Sequence, residues 1–501
     1  MKKVACFLLV CIFFMLRPYE LQRTGMIYPT DDYGYFAHAT ALIYGQFPHY
    51  DRESFFVPHK PMASIGPALM AAPFVLSFSV FDRLAGSDIT EQRTLENIPG
   101  SWSLFGFVLA SNFYFCLGCF LLFKGLRYHV DERYAVLAVV FMALCQGLPV
   151  YALHRPVLSH VYEFFLQSLL VFLLLKRHVS GSLAKKNHGM AAGVGLLVGL
   201  LYLVRFNNIL AAMVWPFVLF WNNRSDWKSR HFYATLLTVF GVAAALAFIF
   251  KITPDMLYPH EGYAQAVGRL TQVYPLTFYA RRLLHILFGI DWGLIYTAPF
   301  IILSLPVPFV SRSALGRRLR VCLLTVIVNL YIIIVWRTQG GYYGYRYFVF
   351  FAMPLLVYPL ATLLQRGEAR WGKRFVRIMA CLAIIPGLSM MAFEANPSNL
   401  ALQSVDQYFG YPGAGNDTFQ MEVWEMLLFT PGQLLIALSH GGVFYWLHIM
   451  AHMFGFHAEL PNLVHVHYPA FSFPVFIKTC LLYACPLLLY FVFRLKGKGN
   501  A

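Results

Sequence analysis

Two adjacent aspartates, Asp31 and Asp32, follow the first hydrophobic segment of the chain. Carboxylates at a lipid–water boundary are costly to keep there unless they are used. A carboxylate can accept a proton as a general base, so we expect one of the two to do so in any reaction at this site. A structural role is also open, because Asp is a favoured residue at helix N-termini and a helix is predicted to begin near Gly34.

Other polar residues are predicted on the same outer face as the aspartates. The candidates for ligand binding are Lys60, Arg155, His160, Arg205 and Arg346. Carboxylates and arginines at the mouth of a helical bundle suit a phosphate-bearing lipid whose headgroup meets an acceptor hydroxyl or amine. Arg stabilises a departing phosphate with bidentate geometry, and a hydrophobic groove would hold the lipid chain.

Structural roles are open for each of these candidates. Lys60 also suits an interfacial side chain that extends its amine to water. Arg155 and Arg346 also suit anchors at the membrane boundary, and His160 suits a hydrogen-bonded histidine within the bundle. Arg205 separates two apolar runs, where a ligand contact and a structural ion pair are equally consistent with its position.

The elements that carry these residues are predicted to be membrane helices. The chain has 501 residues, of which 59% are hydrophobic and 12% charged, whereas soluble domains carry about 25% charge. The sequence predicts an all-α integral membrane protein with about 12 transmembrane helices. The net charge of +16 is spread over short clusters between apolar runs, which is typical of membrane orientation signals and argues against nucleic-acid binding.

The basic clusters predict the topology. With an inside amino terminus they all fall on the inner side, at 124–133, 176–189, 222–231, 311–320, 365–374 and the tail after Phe493. The predicted spans are 4–22, 101–123, 134–153, 157–175, 190–204, 207–221, 232–252, 286–310, 320–336, 347–364, 375–392 and 471–493. The short runs 190–204 and 207–221 are predicted to be paired helices with Arg205 near the outer turn.

Two long segments are predicted on the outer side. Residues 23–100 form the first outer loop, in which 61–81 is predicted to lie in the interface; a true span there is the alternative. Residues 393–470 contain no Lys or Arg and are predicted to form an outer lobe with interface helices, although two further spans would keep the same topology. The predicted divisions are a catalytic module at 1–392, this lobe, and a last span with a basic tail at 471–501.

Several motifs resemble the GT-C superfamily of membrane glycosyltransferases, such as protein mannosyltransferases and lipid A aminoarabinose transferases. These motifs are Asp31-Asp32-x-x-Tyr35, His59-Lys60-Pro61 before the proline-bearing helix Gly66 to Pro73, Arg155-Pro156-Val157-Leu158-Ser159-His160, Gly199 with Arg205-Phe206-Asn207, and Trp336-x-x-x-Gly340-Gly341-x-x-Gly344-x-Arg346. The resemblance covers about residues 1–365. It implies a GT-C-like bundle that uses a polyprenyl-phosphate sugar.

The resemblance also implies residue roles. Asp31 is then the catalytic acidic residue and Asp32 the second acidic position. Tyr35, Lys60 and one or more outer arginines contact the substrate. Some members use a divalent cation, which Asp31 and Asp32 would hold; no metal ligands are assigned here. Tyr33-Gly34 replaces an arginine often found in the family, and Lys60-Pro61-Met62-Ala63 replaces Lys-Pro-Pro-Leu, so the substrate subclass stays open.

These features together predict an inverting hexosyl- or pentosyltransferase of a bacterial inner membrane. It would move a sugar from a polyprenyl-phosphate donor to a lipid, glycan or protein acceptor on the outer face, with Asp31 as general base. Two alternatives share most of the features. One is a transporter or flippase of lipid-linked saccharides, although no inverted repeat is evident; the other is a ligase of lipid-linked glycans.

Overall fold

The structure of the chain is a computed structural model. It describes residues 18–19, 21–23, 31–45, 47, 64–86, 100–144, 148, 151–152, 156, 158–180, 188–205, 208–220, 228–252, 275–276, 278–280, 283, 287, 294, 298–311, 313–336 and 346–394. All regular structure within these ranges is helical, as the composition predicts. The lobe predicted at 393–470 lies outside the described residues except for the helix end at Glu394, and the last predicted span lies wholly outside them.

The helices follow the predicted apolar runs. They are α1 (Asp31–Ile43), α2 (Gly66–Leu84), α3 (Trp102–Leu126), α4 (Glu132–Leu144), α5 (His160–Ser180), α6 (His188–Val204), α7 (Ile209–Phe220), α8 (Arg230–Ala247), α9 (Pro299–Ser304), α10 (Val307–Val310), α11 (Ala314–Trp336), α12 (Arg346–Trp371) and α13 (Lys373–Glu394). A short π-helix, Phe248–Ile252, continues α8.

Three of the described helices are long and apolar enough to cross a membrane. They are α2, α3 and the run Arg230–Phe250. The last of these exposes large apolar side chains such as Leu237 and Phe248, as a helix that faces lipid does. The predicted total of about 12 spans reaches beyond the described residues and stays a prediction.

The pair α6 and α7 forms as the two short apolar runs predict. Arg205 lies between their ends, and its backbone N–H and that of Asn208 continue the hydrogen bonding across the bend, to Leu201 and Arg205 respectively. On its other side α6 packs closely on α8. A Cβ on Gly195 would lie 2.6 Å from the carbonyl oxygen of Val239, so this close helix contact depends on the absence of a side chain.

Helices α3 and α5 form the centre of the bundle and run in the same direction. Tyr114 of α3 contacts Phe165 of α5, with ring centroids 4.7 Å apart. Further along, a Cβ on Gly125 would meet Leu175 at 3.0 Å. Since α5 begins at His160, near the level of Tyr114, the first half of α3 extends beyond the start of α5. We call the end of the bundle where α5 and α7 begin the outer end.

Helix α2 lies lengthwise against the first half of α3. Tyr114 donates a hydrogen bond to the Met70 carbonyl (3.0 Å), and a Cβ on Gly106 would lie 2.7 Å from the Phe74 carbonyl oxygen. A helix aligned with a span shares the tilt of that span. The interfacial position of 61–81 stays a prediction beside its alternative, a true span, for which α2 is long and apolar enough, because apolar content alone does not tell a flat helix from one packed on a neighbour.

A buried carboxylate joins the end of α2 to the start of α3. Asp82 accepts hydrogen bonds from the backbone N–H of Trp102 and of Ser103, both at 2.7 Å, and from the Ser103 hydroxyl at 2.7 Å. The Ser101 hydroxyl accepts from the N–H of Leu104 (3.3 Å). The first N–H groups of a helix have no partner within the helix, so both side chains satisfy donors that burial would otherwise leave unpaired.

The opposite, inner end of the bundle gathers the predicted basic clusters. Arg133 bonds Glu368 at 3.0 Å, which joins 124–133 to 365–374. His129 Nε2 lies 2.9 Å from the Leu175 carbonyl beside 176–189, and Arg318 donates to the Val218 carbonyl at 3.2 Å. Burial lowers the pKa of His129 below its ordinary value. These contacts bring the described basic clusters to one end of the bundle, and the side of the membrane on which that end lies stays a prediction.

Candidate functional site

Two of the residues predicted from the sequence meet at the outer end. Arg205 Nη1 lies 2.6 Å from Nδ1 of His160 and 3.3 Å from its Nε2. The same Arg205 nitrogen lies 3.7 Å from Oε2 of Glu163. The three side chains come from the first turn of α5 and the bend between α6 and α7, and we refer to Arg205, His160 and Glu163 as the outer cluster.

The protonation of His160 is linked to its contact with Arg205. A guanidinium has only donors, so an imidazole nitrogen must accept the hydrogen bond from Arg205. An imidazole nitrogen that accepts from Arg205 carries no proton, and the tautomer decides which of the two it is. The 3.9 Å contact between His160 Nδ1 and Glu163 Oε2 is an ion pair only when His160 is protonated.

Glu163 is the member of the outer cluster that sequence reasoning missed. Its side chain is fully buried, and neither carboxylate oxygen accepts a hydrogen bond from the described residues. The available signal was its spacing, since His160 and Glu163 lie three residues apart and so on one helix face. An ionisable residue within an apolar helix is itself a pointer to a functional site.

The surrounding helices hold the bend against α2 and α5. Ser64 donates a hydrogen bond to the Val204 carbonyl (2.6 Å), and a Cβ on Gly66 would collide with the backbone of Leu203 and Val204. On the other side, Trp215 Nε1 donates to Gln167 Oε1 at 3.0 Å. Arg205 thus lies at a bend fixed by neighbouring helices.

Helix α1 runs beside α2 in the same direction. Phe36 contacts Phe107 of α3, with ring centroids 5.6 Å apart, at the level where α3 meets Phe74 of α2. Further along α1, the ring of Tyr44 lies 5.5 Å from the guanidinium carbon of Arg83. α1 and α2 are therefore parallel, and Tyr44 and Arg83 lie at the same end of the pair.

This direction sets the level at which the aspartates begin α1. From Tyr44 back to Asp31 the helix rises about 20 Å, which is the rise from Arg83 back to Met70. The carbonyl of Met70 bonds Tyr114, whose ring contacts that of Tyr162 (5.6 Å between centroids). The start of α1 therefore lies at the level of the first turn of α5.

Arg346 begins α12, at a similar level. Tyr358 of α12 contacts His129, with ring centroids 5.6 Å apart, and His129 in turn approaches Leu175 of α5. Arg346 and Glu163 each lie twelve residues earlier in these two helices, a rise of about 18 Å. Because both helices run toward the inner end, the start of α12 lies near the level of Glu163.

Of the other predicted site residues, some are described by the structure and some lie outside the described residues. Tyr35 lies buried in the second turn of α1. Lys60 and Arg155 lie outside the described residues, and so do the side chains of Asp31, Asp32 and Arg346. The structure thus brings His160 and Arg205 together, adds Glu163, and places the starts of α1 and α12 at the same end.

Comparisons with known proteins find similar folds only among solved structures. Neither a protein-family model nor a curated protein sequence matches the chain. ArnT from Cupriavidus metallidurans in the apo state is 11% identical, with a TM-score of 0.44 over 88% of this chain and 76% of ArnT. The same protein bound to undecaprenyl phosphate gives 12% identity, a TM-score of 0.45 and the same coverage of both chains.

The oligosaccharyltransferase from Archaeoglobus fulgidus in the apo form is 15% identical, with a TM-score of 0.42 over 87% of this chain and 55% of that protein. Because these TM-scores lie below 0.5, the function proposed below rests on the residues of the chain itself.

Proposed function

We propose that the chain is a membrane glycosyltransferase that moves a sugar from a polyprenyl-phosphate donor to an acceptor at its outer end. One observation carries the proposal. The buried outer cluster, with its arginine, lies at the level where the Asp31-Asp32 pair begins α1. A cation for a phosphate and a carboxylate for a proton are the two groups that such a transfer requires.

The proposed reaction assigns one role to each group. The Asp31 carboxylate takes the proton from the acceptor hydroxyl or amine as its lone pair attacks the anomeric carbon. The bond between that carbon and the phosphate oxygen breaks, and the oxygen leaves with the bonding electrons. Arg205 stabilises the charge that develops on the phosphate. Attack opposite to the leaving group inverts the anomeric configuration.

The sugar donor is proposed from the sequence resemblance, and its lipid chain from the apolar surface of the bundle. A polyprenyl chain can lie against exposed apolar side chains while its phosphate reaches a helix end at the boundary. Undecaprenyl phosphate, which is bound to ArnT in one of the similar structures, is a suitable carrier for tests. The acceptor and the type of sugar are not assigned. We further propose an inner-membrane location with the site on the outer face.

Transfer of labelled sugar tests the catalytic assignment. Membranes that contain the protein and a labelled undecaprenyl-phosphate sugar should form labelled product, and Asp31→Asn should abolish the transfer because an amide cannot accept the proton. Donor binding should persist in this variant. Asp131→Asn is the matched control, because Asp131 lies at the inner end, where it accepts a hydrogen bond from Gln365 (3.3 Å), and this variant should keep full transfer.

The same preparation separates the alternatives. A flippase would tolerate Asp31→Asn and move label across sealed vesicles without forming a new product. Full transfer by both Asp31→Asn and Asp32→Asn would show that the acidic pair is not the site and would favour a ligase that depends on outer arginines and histidines.

A further inference from the structure

The two lipid phosphates in the proposed reaction differ in charge. The donor is a phosphodiester with one negative charge. The polyprenyl phosphate left after transfer is a monoester, whose second pKa near 6 gives it about −1.5 to −2 at pH 7. An isolated arginine attracts the more highly charged phosphate more strongly. A site built on arginine alone would therefore retain the product in preference to the next donor.

The outer cluster contains a group that opposes this preference. Glu163 Oε2 lies 3.7 Å from Arg205 Nη1, and the Glu163 side chain is fully buried whereas that of Arg205 is 12% exposed. The Glu163 carboxylate is therefore closed to solvent, whereas part of the Arg205 side chain is accessible to a phosphate. A phosphate that bonds Arg205 would lie near Glu163, and because this carboxylate is buried the repulsion between the two charges would be weakly screened.

We propose that Glu163 selects against the doubly charged lipid phosphate at Arg205, so that the site accepts the singly charged phosphodiester and releases the monoester. This rests on the proposed function in one respect, the phosphate contact of Arg205. Glu163 acts through its charge and touches no reacting atom, so it is a specificity-determining residue and not a catalytic one. Each negative charge on the ligand is repelled, and the monoester carries more of them.

A pair of lipids that differ only in this charge tests the inference without any sugar transfer. Undecaprenyl phosphate and its methyl phosphodiester share the lipid chain, and they compete for the purified full-length protein in nanodiscs of uncharged lipid. The measured quantity is the preference ratio, the affinity for the monoester divided by that for the methyl diester. Glu163→Gln should raise this ratio about tenfold or more, because it removes the opposing charge at nearly constant volume.

Three further variants control for structure. Glu163→Asp keeps the charge and should keep the ratio near that of the wild type. Ser168→Ala changes a buried polar residue of the same helix whose hydroxyl bonds the Phe164 carbonyl (2.7 Å), and should also keep it. When Arg205 is already replaced by Gln, adding Glu163→Gln should not produce the rise in the preference ratio that it produces in the wild-type protein. Thermal unfolding of each variant identifies any that fail to fold.

The outcomes separate this inference from the proposed function. An equal change of both affinities in Glu163→Gln, or a lower ratio, overturns charge selection by Glu163. If Glu163→Gln does not fold, Glu163→Asp provides the test. This variant keeps the charge and should keep the preference ratio of the wild type, so a raised ratio in Glu163→Asp overturns the inference. If the preference ratios change as expected but the wild type transfers no sugar, the proposed function is overturned and this inference stands. If neither lipid binds, the phosphate role of Arg205 is overturned and this inference with it.

Discussion

At the scale of single residues, the donor-phosphate role of Arg205 depends on the shape of its side chain. Nη1 is engaged with His160, so a phosphate must use other N–H groups of the same planar fork. Lysine presents one ammonium and cannot bond both partners in that geometry. Arg205→Lys should therefore raise the KM for a labelled polyprenyl-phosphate sugar about tenfold or more.

The matched control for Arg205→Lys is Arg133→Lys. Arg133 is an exposed partner of Glu368 at the inner end, where ion pairs contribute little, and this variant should keep the wild-type KM. Equal KM values for wild type and Arg205→Lys would argue that Arg205 holds the bend and does not touch the phosphate.

The residues of the outer cluster show which parts of a site a sequence can predict. Arg205 is predicted because it interrupts two apolar runs, and the structure places it at that bend. Its contact with His160 joins residues 45 positions apart, and no local pattern predicts such a pairing. Glu163 was missed because a single carboxylate does not disturb the apolar character of the α5 segment, and only the neighbouring helices make it a partner of Arg205.

At the scale of elements, the attachment of α2 to α3 depends on the Asp82 carboxylate. Asp82→Ala leaves the buried N–H groups of Trp102 and Ser103 without their acceptor. We expect it to lower the free energy of unfolding by about 2 kcal/mol, seen as a lower midpoint of thermal unfolding of the purified protein in detergent. Ser77→Ala is the control, because the exposed Ser77 hydroxyl bonds only within α2; equal midpoints for both variants would contradict the role of Asp82.

The same elements show what the sequence predicts about a helix and what it leaves open. The bounds of α3, α6 and α7 follow from apolar runs and their breaks, which are local. The orientation of α2 is set by contacts between residues 32 and 44 positions apart, those of Phe74 with Gly106 and of Met70 with Tyr114. A run of apolar residues with prolines is equally compatible with a helix that lies flat in the interface and one that packs along a neighbour, so the sequence pattern does not decide the orientation of α2.

At the scale of the whole molecule, the two ends of the bundle differ in charge and in contacts. The described inner end joins three predicted loops through His129, Arg133 and Arg318, whereas the outer end gathers the starts of α1, α5 and α12. The basic clusters predict this division because Lys and Arg are retained on the cytoplasmic side of a membrane. The contacts that join the loops were not predictable, since they depend on how helices distant in sequence pack.

This polarity predicts how single cysteines react in intact cells. Ala85 is exposed at the outer end of α2, and Tyr128 is exposed in the turn after α3 at the inner end. In a background where all nine cysteines are replaced by Ser, Ala85→Cys should react with a membrane-impermeant maleimide in intact cells. Tyr128→Cys should react only after the membrane is permeabilised. Reaction of both from outside would place the basic loops on the same side as the outer cluster, and a lipid-linked donor presented on the outer leaflet would then meet the wrong end of the bundle.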